Sequence, residues 1–140
     1  MIVVSVTKAF KDISFSTSAI QRIAEFVCRK EKVKNAELSF VIVPNRTIRT
    51  INKKFLKHDY DTDVITFPLE TKEVNAEIYI NAQQAKRQAA ENNVTVKNEL
   101  TRLVVHGTLH AIGYDDGKPE SRKKMTAIQE RYVAELSLKK

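Results

Sequence analysis

Apolar residues recur along this chain at two periods, and the switches between them mark out its elements. Ile2-Val3-Val4-Ser5-Val6 is short and β-branched, as a first strand should be. Ser16-Thr17-Ser18 offers capping residues for a helix to about Lys30, because Ile20, Ile23, Ala24 and Val27 fall at i, i+3, i+4 and i+7. Cys28 borders that stripe and reads as a small buried hydrophobe. Glu37 to Val43 forms a second strand, closed by Pro44-Asn45. Ile48, Ile51 and Phe55 predict a helix from Thr47 to Phe55, with Arg49, Lys53 and Lys54 outside and Lys57 and His58 just beyond. A polar turn, Asp59-Tyr60-Asp61, leads into a strand from Thr62 to Phe67 that Pro68 stops. Ala76 to Ile80 is its hairpin partner.

Asn81 caps a helix to about Glu91, whose Ala82, Ala85 and Ala89 suit close packing. From about Val96 the pattern is helical again, with Leu100, Leu103, Val104, Val105, Leu109 and Ile112 on nearly every side, as in a helix buried by its neighbours. Gly107 inside it implies close approach of another backbone, and Gly113 ends it. A last helix runs from about Pro119 to Leu138 on a stripe of Met125, Ile128, Tyr132 and Leu136, its wet face carrying Arg122, Lys123, Lys124 and Arg131. The order β-α-β-α-β-β-α-α-α predicts an α+β fold: a small mixed four-stranded sheet with about five helices packed on it. The helix around Gly107 is expected to be central, and residues 1–140 to form a single domain.

Composition narrows the class. A chain 42% hydrophobic and 29% charged is that of a soluble globular protein. One cysteine excludes an internal disulfide and fits a reducing cytosol. The start, Met1 to Ser5, lacks a signal-peptide pattern, and no apolar run approaches the roughly 18–20 residues that span a bilayer. A net charge of +7 favours an acidic partner, with nucleic acid first among them.

The chemistry lies in one stretch. Two of only three histidines, His106 and His110, stand four apart on the buried helix, so their side chains share one face. That spacing suits two imidazole nitrogens holding one ion at about 2.0–2.1 Å each. Asp116, just past the Gly113 turn, can return a third, oxygen ligand. Three protein ligands leave a position open, which is the arrangement of a catalytic site. Gly107 stands where the general-base glutamate of the zinc-protease H-E-x-x-H motif would be, which disfavours peptide hydrolysis. There remains water activated by the metal and directed at a carbonyl or phosphoryl centre.

The run His106-Gly107-Thr108-Leu109-His110-Ala111-Ile112-Gly113-Tyr114-Asp115-Asp116 resembles the H-G-x-L-H-x-x-G-Y-D-H signature of the YbeY family. Asn52 to Pro68, with Thr62-Asp63-Val64-Ile65-Thr66-Phe67-Pro68, is similar to that family's second block, and Ala76-Glu77-Ile78-Tyr79-Ile80 to its G-D-I-x-I strand. The resemblance implies a metal-dependent, single-strand-specific endoribonuclease acting in 16S rRNA 3′-end maturation and ribosome quality control. It further implies one zinc ion per chain, partners in single-stranded rRNA and the ribosomal subunit, and a cytoplasmic location. Three departures stand out. Asp116 replaces the third histidine, which lowers the acidity of the bound water and widens tolerance to harder ions such as Mn²⁺. Leu56 replaces an arginine, and Ala76-Glu77 replaces Gly-Asp.

The metal set is thus His106, His110 and Asp116, with Glu77 and Lys57 as candidate assistants to catalysis. Lys53, Lys54, Lys57 and Arg87 are the candidate RNA-backbone contacts. Phe67 or Tyr79 offers a stacking surface, although core packing is the commoner use of Phe67. Asp115 either orients a ligand or caps the turn, and Asp63 either hydrogen-bonds near the cleft or is a turn-end charge. The rival readings are a non-catalytic RNA-binding ribosome-assembly module with a structural metal, and a metal-dependent hydrolase of a small ester or amide. A monomer is the default.

Overall fold

The computed structural model of the chain describes residues 1–10, 15–57, 62–69 and 73–138. His58, the turn at 59–61 and most of the hairpin connection before β4 therefore lie outside the described residues. The element order is β1 (Ile2–Lys8), α1 (Thr17–Lys30), β2 (Ala36–Val43), α2 (Asn45–Leu56), β3 (Val64–Pro68), β4 (Val74–Asn81), α3 (Ala82–Glu91), α4 (Val96–Ile112) and α5 (Pro119–Leu138). The strands form one sheet in the order β1-β2-β4-β3. β1, β2 and β4 run parallel, and β3 pairs antiparallel to β4 at the edge. The fold is the α+β arrangement of four strands and five helices that the patterning predicts.

Both faces of the sheet are covered, which is why β2 reads as the near-continuous apolar run Phe40-Val41-Ile42-Val43. Leu38, Phe40, Ile42, Ile78 and Ile80 join the main core with residues of α1, α4 and α5. Val43 and Ile65 form a second cluster with Ile48 of α2, and Val41, Phe67 and Tyr79 pack against it. Helix α4 is the hub, touching α1, α3, α5, β3 and β4. Two expectations shift. β3 begins at Val64 rather than Thr62, and the two residues before it are held by Asn81, the last residue of β4. The Asn81 N–H donates to the Asp63 carbonyl at 2.8 Å, and its side-chain amide donates to the Thr62 carbonyl at 3.0 Å. Phe55 does not complete the inner stripe of α2 but is 60% exposed, because it lies over Phe67 of the edge strand, while Ile48 and Asn52 before it are buried.

Gly107 is explained by contact with a side chain, not with another backbone. A Cβ built there would lie 2.7 Å from Cγ2 of Ile78, a fully buried residue of β4. Gly107→Ala gains up to about 1 kcal/mol of helix propensity but overpacks by about 1–3 kcal/mol, so a net loss of about 1–2 kcal/mol is expected. Urea unfolding checks this: the midpoint should fall with an unchanged slope. Cys28 is fully buried in α1, and burial pushes its thiol up to about 11, which suits a packing residue and not a nucleophile.

Candidate metal centre

Helix α4 carries His106 and His110 one turn apart, their rings 4.7 Å between centroids and nearly perpendicular. Gly113, at φ 126°, ends the helix, and the chain turns back so that Asp116 faces both rings. Asp116 Oδ2 lies 3.2 Å from His110 Nε2 and 3.7 Å from His106 Nε2. One ligand atom from each of the three residues falls within 4.8 Å of the others, the one such group among the described residues.

Hydrogen bonds behind the rings fix what the front atoms offer. His110 Nδ1 is 3.1 Å from the Tyr114 carbonyl, which can only accept, so Nδ1 carries the proton. His106 Nδ1 is 2.7 Å from Gln129 Oε1. The amide of Gln129 cannot be reversed without cost, since its nitrogen donates to the Glu130 carboxylate at 3.0 Å. His106 Nδ1 is therefore also a donor. With Nδ1 as the donor in each ring, Nε2 is the atom that a neutral imidazole offers to a ligand, and both Nε2 atoms face the Asp116 carboxylate. Two imidazoles with one carboxylate suit a divalent ion such as zinc.

Each support belongs to a larger network. Arg102 clamps Glu130 through Nε at 2.8 Å and Nη2 at 3.0 Å, and donates to Glu99 from Nη1 at 2.9 Å. Glu99 is only 3% exposed and also accepts from Gln88, which reaches Asp63. The bond to Arg102 holds the Glu130 carboxyl below its usual range, and the bond to Glu130 raises the Arg102 guanidinium. On the other side, the Tyr114 hydroxyl donates to Glu31 at 2.6 Å, which pushes the phenol up to about 12. Tyr132 of α5 donates to the same carboxylate, so α1 and α5 together hold the turn that presents Asp116. Arg122 Nε donates to the Asp116 carbonyl at 3.1 Å. Asp115 closes the turn by accepting from the Gly117 N–H.

Two cavities meet at His106, Asp116 and Asp63. One, of about 270 Å³, is lined by Asp63, Arg102, His106, Asp116, Arg122 and Gln129 among others. The other, of about 390 Å³, runs past the free edge of β3, from Asn52 and Leu56 on one sheet face to His106, His110 and Asp116 on the other. Thr66 Oγ1, on that edge, is buried without a hydrogen-bond partner among the described residues. Lys53, Lys54 and Lys57 are exposed at the end of α2, flanking the Leu56 wall. Arg87 lines neither cavity, and its guanidinium is bound to Asn45 and Gln84. Glu77 is exposed between the buried Ala76 and Ile78, so alternation puts it on the sheet face away from α4.

Sequence reasoning missed Gln129 and Arg122. Gln129 had a signal, since it stands four residues after Met125 on the inner face of α5, where it is buried. Gln129→Leu should keep the fold and weaken metal binding about 10–100-fold, as loss of a ligand's outer hydrogen bond does. Competition titration against a chromogenic chelator would measure it.

Comparison with known proteins adds to this geometry. A family model described as Endoribonuclease YbeY matches residues 5–137. Proteins named Endoribonuclease YbeY from Chloroherpeton thalassium and Chlorobaculum parvum are each 37% identical to the chain. The first match covers 84% of both chains, the second 91% of this chain and 88% of the relative. The solution structure of TM1509 from Thermotoga maritima is similar with a TM-score of 0.69 and 30% identity, over 95% of this chain and 87% of that one.

Proposed function

The chain belongs to the YbeY endoribonuclease family, and on that premise we propose that it cleaves single-stranded RNA with the aid of a divalent ion held by His106, His110 and Asp116. The observation that carries this reading is the convergence of one ligand atom from each of His106, His110 and Asp116 to within 4.8 Å of one another. The ion is zinc, with manganese accommodated by the oxygen ligand. Bound there, it supplies Lewis acidity to a phosphoryl oxygen and acidifies water.

The protein's own groups do the rest. Lys53, Lys54 and Lys57 hold phosphates along the strand, so affinity falls steeply with salt. Arg122 is tethered through Nε to the Asp116 carbonyl, and beside the ligands it offers a phosphate the guanidinium that Leu56 does not. Gln129 and the Tyr114 carbonyl hold the two imidazoles in the ligating tautomer. The substrate is rRNA near its 3′ end on the ribosomal subunit, in the cytoplasm, and the chain works as a monomeric single domain. No helix among the described residues is long and apolar enough to cross a membrane.

The test is cleavage of one RNA sequence, single-stranded and as a duplex, by protein stripped with a chelator and reloaded. Cleavage of the single strand alone, lost on stripping and restored by zinc or manganese, is expected. Tight binding without cleavage in the reloaded protein would instead favour a non-catalytic assembly module, a reading that the apolar Leu56 in the cavity wall keeps in play.

A further inference from the structure

Past the end of the cleft lies a surface that the metal centre does not account for. Phe55 is 60% exposed, and Leu56 and Leu69 beside the cleft mouth are also open. The Phe55 ring is held by an edge contact to Phe67, 5.9 Å between centroids, and Phe67 makes the same contact with Tyr79 at 5.9 Å. These rings lie on the α2 face of the sheet, and the neighbouring Leu56 lines the cavity that rounds the β3 edge to His106 and His110. Lys54 places its ammonium 5.4 Å from the Phe55 centroid, with Lys53 and Lys57 exposed around it.

An exposed aromatic held edge-on by a second ring, with an ammonium over it and two exposed lysines near it in sequence, offers apolar surface beside cations. Its charge complement is a nucleotide: a base for the ring and a phosphate for the ammonium. Glu77, the cross-strand partner of Phe67, is exposed on the same sheet face and would repel a phosphate placed beside it. We propose that Phe55 is a stacking platform for one unpaired base of the strand whose phosphate reaches the metal centre around the edge of β3. The proposal rests on the endoribonuclease reading and gives it a source of strand discrimination, since a base paired within a duplex has no free face to place on the ring. It also replaces Phe67 and Tyr79 as stacking groups, since these serve as the ring's support.

The chain has no tryptophan, so Phe55→Trp carries the only indole. Its emission is followed as short oligoadenylate is added in chelator, with the duplex of oligoadenylate and oligouridylate as control. Quenching by the single strand alone is expected, while the anisotropy of dye-labelled oligoadenylate should show Phe55→Ala and Phe55→Leu losing about 5- to 150-fold in affinity against wild type. Circular dichroism confirms that both remain folded. Unquenched emission at saturation, or alanine and leucine variants that bind like wild type, would overturn the proposal and leave the cleavage reading intact. An emission change that follows protein concentration without RNA would assign the surface to a second copy of the chain and overturn it equally. A wild-type protein that binds no RNA would defeat the functional reading first, and this one with it.

Discussion

His110→Ala is expected to lower RNA cleavage about a thousandfold or more, because the Lewis acid's contribution of several kcal/mol goes with the ion. Elemental analysis should show the metal falling from one per chain toward none. The fold should survive: His110 is half-buried at the cleft, outside the apolar cluster that holds α4 to the sheet. Asp116→Ala removes the oxygen ligand and the charge that balances the ion, and undiminished metal content in that variant would take Asp116 out of the ligand set. Thermal unfolding of both variants, set beside their metal content, separates loss of the site from loss of the protein.

Arg102→Met should be the most damaging change to stability, at about 3–5 kcal/mol. Glu99 is almost wholly buried, and Arg102 is the cation it meets, at 2.9 Å. Removing that cation leaves a carboxylate that is 3% exposed with the Gln88 amide as its remaining side-chain partner among the described residues. Arg102→Lys should not recover the loss in full, because one ammonium cannot make the paired contacts to Glu130 and still reach Glu99. Glu99→Gln in the Arg102→Met background should restore a good part of it, since a neutral amide tolerates burial better. Urea denaturation of the single and double variants measures the coupling. A free energy of Arg102→Met within 1 kcal/mol of wild type would mean that Glu99 is protonated or hydrated there.

The parts of this molecule that a reader of sequence can find are those whose signal is local. The stripe of Ile20, Ile23, Ala24 and Val27 is buried as its period requires, and so are the small faces of Ala82, Ala85 and Ala89. His106, His110 and Asp116 were legible because one helical turn and one glycine turn decide their meeting. The supports were not, because they come from far along the chain: Gln129 on α5 and Glu31 at the end of α1. Glu77 shows a different lesson. Its face was readable from the alternation with Ile78 and Ile80, whose burial commits it to the side away from the histidines. Phe55 fitted the helical period yet lies exposed, because a periodic stripe says which face of α2 turns inward but not where the sheet beneath it ends. Arg87 had the right charge, but Asn45 and Gln84 already occupy its guanidinium.

All three proposed metal ligands fall between residues 106 and 116, and that proximity along the chain has a thermodynamic consequence. An ion that joins distant segments removes much disorder from the unfolded chain, whereas one that closes so short a loop removes little. Gly113 and the Tyr114–Glu31 bond already shape that loop. The chain-entropy share of any stabilisation by the ion is therefore small, unlike in small domains that collapse only around zinc. A chelator should accordingly empty the site while the circular dichroism of the helices stays in place.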